Sequence, residues 1–102
     1  MIARSDALML KLMRSQTSVR SYFLTIHEDI KYRIQRIDEI QLDIKLMHLT
    51  KPDNWLNQVD QLRTYLSREQ RQLAYARYDL ELLLELEENK RIYMRLKLEG
   101  LV

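Results

Sequence analysis

The chain has 102 residues, a formal charge of +2, one Gly, one Pro and no Cys. That length sets at most one domain, and the lack of Cys removes disulfides, thiolate metal sites and thiol nucleophiles. The small net charge gives no electrostatic case for nucleic acid.

With Gly and Pro so scarce, the turns of a β or α/β domain have no residues to make them. Leu, Glu, Arg, Gln, Lys and Met are abundant instead, and these lose little rotamer freedom in a helix. The class is all-α.

At the start of the chain, Ala7 to Leu10 is a four-residue apolar run ended by Lys11, shorter than the core of a signal peptide. No stretch reaches the ~18 apolar residues needed to cross a bilayer. These features predict a soluble, cytoplasmic protein. Leu12, Val19, Phe23, Ile26, Ile30, Ile34, Ile37, Ile40, Ile44 and Met47 then recur mostly at threes and fours, the period of one helix face. The spacing predicts a helix over 5–49. The polar residues Ser15, Thr17, Ser18 and Ser21 mark a weak point where it bends or splits.

The segment Thr50-Lys51-Pro52-Asp53-Asn54 interrupts the pattern. Pro52 disfavours the α conformation at Lys51, and Asp53 or Asn54 suits the cap of a following helix. Beyond it a second helix is predicted over 54–98, with Trp55 either its first core side chain or an exposed anchor at the loop tip. Val59, Leu66, Leu73, Leu80, Glu87, Met94 and Leu101 stand seven apart, with Leu62, Ala76 and Leu83 at the companion positions and Glu69 and Glu87 as flaws. This is a coiled-coil seam. Gly100 is placed to end the helix.

The simplest fold is one domain over residues 1–102, an antiparallel two-helix coiled-coil hairpin with its loop at 50–53. Each arm would be about 65 Å long. A split near residues 15–21 gives a three-helix bundle instead.

The expected functional surface lies at the open end of that hairpin. Tyr75, Tyr78, Leu82, Leu86, Tyr93 and Leu96 form a stripe outside the seam, and Leu82-Leu83-Leu84 run consecutively. Leu10, Leu12 and Met13 on the first helix are similarly broad. A helix apolar all round needs more than one neighbour, so a two-helix rod leaves this surface for a partner. Arg14, Lys90, Arg91, Arg95 and Lys97 add positive charge, suited to a socket with acidic walls. The candidate partner-binding set is therefore Leu10, Met13, Arg14, Tyr75, Tyr78, Leu82, Leu86, Lys90, Arg91, Tyr93, Arg95, Leu96 and Lys97.

Catalytic and cofactor chemistry find no support. His27 and His48, the two histidines, stand 21 residues apart, and zinc needs three or four converging ligands. One Gly near the C-terminus excludes a phosphate-cradling loop. The carboxylates of 38–43 and 79–88 read as solvated helix faces. Arg63, Arg68, Arg71 and Arg77 with Tyr65, Tyr75 and Tyr78 mix bases and rings as single-strand binders do, but they do not share a face. No catalytic, cofactor-binding or metal-ligating residue is expected, and no nucleic-acid partner.

Over about residues 30–97 the chain resembles the small coiled-coil stalk proteins of type III export systems, flagellar and virulence-associated (the FliJ/YscO family). The residues that carry the resemblance are Lys51-Pro52-Asp53-Asn54-Trp55, Leu66-Ser67-Arg68, Arg71-Gln72-Leu73, Asp79-Leu80-Glu81-Leu82 and Lys90-Arg91. The last two groups are closest to the shorter virulence-type members. The resemblance implies a stalk at the cytoplasmic face of a membrane-embedded secretion machine. Its paired terminal ends enter a hexameric export ATPase, its rod reaches toward the export gate, and it handles export chaperones.

A second resemblance, to the three-helix chaperone tubulin-folding cofactor A, rests on Asn54-Trp55, Gln70-Arg71-Gln72-Leu73-Ala74 and Asp79-Leu80. A coiled-coil homodimer is the remaining alternative, since a two-helix hairpin this small has a thin core.

Overall fold

The computed structural model describes residues 4–102. They form four helices, α1 (Arg4–Arg14), α2 (Val19–Thr50), α3 (Trp55–Leu84) and α4 (Glu87–Leu98), and no strand is present among the described residues. The two long helices α2 and α3 lie antiparallel along each other. Their pairing is marked by His48 against Trp55 near the loop, Arg33 against Glu69 midway and Tyr22 against Asp79 at the far end. The short helices α1 and α4 fold back onto that far end, where α1 packs on α3 and α4 packs on both long helices. The molecule measures 54 × 35 × 20 Å, shorter than the about 65 Å of two unbroken arms.

Two unbroken helices over 5–49 and 54–98 are thus corrected to four, and the three-helix alternative is one helix short. The first break falls in the polar gap. Gln16 adopts φ 57°, the Thr17 amide donates to the Leu12 carbonyl at 2.9 Å, and the Gln16 amide donates to Met13 at 3.1 Å. This is a Schellman C-cap built without glycine. Ser18 then opens α2, its Oγ accepting from the Ser21 amide at 3.1 Å, as an N-cap serine does.

The second break, at Glu85 and Leu86, has neither Gly nor Pro. Leu86 is extended at φ −92°, ψ 130°. Asn89 is 2% exposed, and its Nδ2 donates to the Leu83 carbonyl at 2.9 Å. One buried side-chain amide therefore strengthens the satisfaction of a carbonyl that the ended helix leaves with only a long bond from the Leu86 amide at 3.4 Å. Glu87 and Glu88 sit in the first turn of α4 and Arg95 and Lys97 in its last, the charge order that the helix dipole favours.

The long pair follows the expected seam up to the second break. Ile26 and Ile40 of α2 and Val59, Leu73 and Ala76 of α3 are buried. Glu69 breaks the apolar repeat, and Arg33 answers it across the helices with Nη1 2.8 Å from Oε2. Beyond the break Glu87, Met94 and Leu101 leave the stripe and are exposed.

At the loop, Lys51 takes φ 42° and donates its amide to Met47 at 2.9 Å. Asn54 occupies the N-cap position at φ 64° without a side-chain cap, and its Oδ1 accepts from Asn57 instead. Trp55 is half-buried, edge-on to His48 with centroids 5.2 Å apart. Gly100, at φ 75°, closes α4 with a second Schellman motif, since the Leu101 amide donates to Leu96 and the Gly100 amide to Lys97, both at 3.0 Å.

The head at the far end is centred on one residue from each helix. Leu12, Phe23, Leu83 and Leu96 form a single buried cluster, the last three with no exposed surface. Full burial of each such side chain is worth about 1.5–3 kcal/mol. Leu8, Met9, Val19, Tyr22, Ile92 and Tyr93 pack around it.

Candidate docking surfaces

The fold-back changes which of the expected contact residues can reach a partner. Leu82 and Leu96 are 8% and 0% exposed. They belong to the interior of the same chain, so their place in the docking set is corrected. Leu82-Leu83-Leu84 needs several neighbours. Those neighbours come from α1 and α4. Leu86 is the half-buried, extended residue at the N-cap of α4. Tyr93 is half-buried too, its ring tilted on Phe23 at 5.2 Å.

The remaining nine expected residues stay on the surface, and α4 gathers four of them. Lys90, Arg91, Arg95 and Lys97 all face outward because Asn89, Ile92 and Leu96 take the inward face. They divide between two shallow grooves. One is lined by Leu84, Lys90, Tyr93, Met94 and Lys97, with the Lys97 ammonium 5.1 Å from the Tyr93 ring centroid. The other is lined by Arg20, Arg91, Ile92 and Arg95. There Glu99 already holds Arg20 at 2.9 Å, so a carboxylate fits beside these guanidinium groups.

Leu10, Met13 and Arg14 are exposed on α1, and Tyr75 and Tyr78 on α3. The Tyr78 hydroxyl accepts from the Arg4 guanidinium, which also lies 5.9 Å from the ring centroid. This contact ties α1 to α3, so Arg4 is engaged away from the α4 grooves. The thirteen expected residues are therefore not one continuous patch.

Between the long helices, Tyr22 donates to Asp79 at 3.2 Å. Burial, and then the nearby Asp79 carboxylate, push the Tyr22 phenol up to about 12. Asp29 lines the same groove and pairs with Arg33 at 3.3 Å. Among the described residues, no three His, Cys, Asp or Glu side chains gather as a metal site would require, and no helix is long and apolar enough to cross a membrane.

A further surface has no counterpart in the sequence reading. Leu42, Leu46 and Leu49 are 57%, 46% and 80% exposed, on the side of α2 turned away from Ile40, Ile44 and Met47. Ile34, assigned by periodicity to the core stripe, is 39% exposed and joins Leu42 in lining a trough with Lys31, Gln35, Asp38 and Glu39. The signal was present in the sequence as leucines at i, i+4 and i+7. The stronger isoleucine repeat on the opposite face hides it.

No family model matches this chain, and no curated protein or solved structure matches it.

Proposed function

We propose that this chain is a non-enzymatic coiled-coil adaptor, a stalk component of a type III export apparatus that docks to the export ATPase. The observation that carries the reading is the outward face of α4. Lys90, Arg91, Met94, Arg95 and Lys97 stand exposed on one short helix, held by a four-helix head at the end of an antiparallel rod. The resemblance over residues 30–97 supports the assignment of this architecture to the export stalks.

Docking in this reading uses the outer basic face of α4 with Tyr93, rather than the buried Leu82 and Leu96. An acidic surface on the ring ATPase is the complementary partner. The rod, with its loop end, is left free to extend toward the export gate or to meet export chaperones at the cytoplasmic face of the machine.

The test is binding of the purified chain to the hexameric export ATPase of its own organism, and stimulation of that ATPase. Arg91→Glu with Arg95→Glu replaces two exposed bases and should abolish both effects while helicity is retained. Binding that survives the double substitution refutes this docking face. Failure of the wild-type chain to bind the ATPase refutes the reading.

The small-chaperone alternative draws on one observation, the helix break at residues 15–18, where a three-helix cofactor would need it. The second break at Glu85 and Leu86 has no place in such a bundle. Capture of β-tubulin by the purified chain would favour the chaperone over the stalk.

A further inference from the structure

We propose that the outer face of α2 is a self-association surface, on which a second copy of this chain packs antiparallel about a two-fold axis. The occupant is argued from the surface itself. Ile34, Leu42, Leu46 and Leu49 leave large apolar side chains in water on a helix whose opposite face is already paired with α3. Single exposed leucines are ordinary, but a row of them along one helix marks an interface.

Two charges within this row, Asp38 and Lys45, are self-complementary. An axis crossing α2 between Gln41 and Leu42 sets Asp38 against Lys45 of the second copy, and Lys45 against the copy's Asp38. The same operation sets Ile34 against the copy's Leu49 and brings Leu42 beside the copy's Leu42 at the centre. Asp38 and Lys45 are seven residues apart, two helical turns, so they lie nearly in line along the face, between Ile34 and Leu42. In a two-fold antiparallel pair like positions meet, and this line brings opposite charges together twice. The trough lined by Ile34, Asp38 and Leu42 receives the leucines that project from the loop-end half of the other α2.

Both copies keep their own α2–α3 seam, and the product is a four-helix rod with a head at each end. A contact from Ile34 to Leu49, about 23 Å along α2, is at the small end of specific interfaces. An interface this small favours a weak, reversible association.

The experiment is sedimentation velocity on the chain alone across a concentration series from low micromolar upward, with circular dichroism as the control for folding. Wild type should pass from monomer to dimer. Leu42→Glu with Leu46→Glu should stay monomeric with unchanged helicity, because both side chains are exposed in the monomer. Asp38→Lys and Lys45→Asp should each weaken the dimer about tenfold, and the two together should restore it.

A chain that remains monomeric throughout overturns the proposal. So does a dimer that survives the leucine substitutions, or a charge swap that fails to rescue. No ATPase is present in these measurements, so their outcome is separate from that of the export reading.

Discussion

Asn89→Leu distinguishes the bent chain from a straight one by the sign of its effect. In a continuous helix the Leu83 carbonyl would be taken by the amide of Glu87, four residues on. Asn89 would then be a mediocre helix former that Leu improves. In the structure α3 ends at Leu84, and the Leu83 carbonyl receives the Asn89 Nδ2 at 2.9 Å and only a long contact from the Leu86 amide at 3.4 Å. Leu keeps the branched shape without donating but is bulkier, so it leaves a buried acceptor poorly satisfied at a cost of about 1–3 kcal/mol and crowds a site that is 2% exposed. For a domain of this size each kcal/mol lowers the melting temperature by roughly 4–8 °C. Thermal and urea unfolding followed by circular dichroism measures the difference. A melting temperature that is unchanged or higher in Asn89→Leu refutes the break at Glu85 and Leu86, and with it the closed head.

Three further outcomes test the rod. Leu73→Asp buries an unpaired charge at the seam, where Leu73 is 8% exposed, and should abolish cooperative unfolding; a variant with wild-type helicity contradicts the seam. A double-mutant cycle with Arg33→Ala and Glu69→Ala should give a favourable coupling of about 0.5–1 kcal/mol, and a coupling of zero removes the cross-helix pair. In a phenolate absorbance titration, one of the six tyrosines should ionise near 12, and Tyr22→Phe should delete that late step. Because the folded value lies above the ordinary 10, the protonated Tyr22 contributes stability fully below pH 10 and loses it as pH climbs toward 12. Alkaline destabilisation should therefore be shallower in Tyr22→Phe, and equal slopes would contradict the Tyr22–Asp79 contact.

The helical class and the seam were legible because they depend on short-range regularities. Val59, Leu73 and Ala76 repeat at fixed spacing, and each is buried where the repeat puts it. The break at residues 15–18 was visible as a run of small polar side chains, and Gln16 in the left-handed region is its physical form. The second break was not legible, since Leu84-Glu85-Leu86 contains nothing that bars a helix. Its determinants are the distant burial of Asn89 and a dipole-matched charge order in residues 87–97. The same acids and bases had a simpler description as an acidic block followed by a basic one. The outer leucines of α2 were missed for a different reason. Periodicity identifies the strongest face, and a second face at half the strength disappears beneath it.

The closed head bears directly on how a partner can be recognised. An open hairpin would offer Leu82, Leu83 and Leu96 as a greasy tip, and a ring could grip it by burying apolar surface. Here Leu83 and Leu96 are fully buried against Leu12 and Phe23, so exposing them to a partner would first require α1 and α4 to detach. Each of those side chains resists removal by about 1.5–3 kcal/mol, and the Arg4–Tyr78 and Asn89–Leu83 contacts add to that resistance. A partner that meets the head intact finds charge and aromatic edges instead: Lys90 and Lys97 around Tyr93 on one flank of α4, and Arg91 and Arg95 beside Arg20 on the other. In the proposed docking, recognition at the head would therefore be electrostatic and salt-sensitive, and the proposed self-association would draw its apolar contribution from the rod, along the leucines of α2.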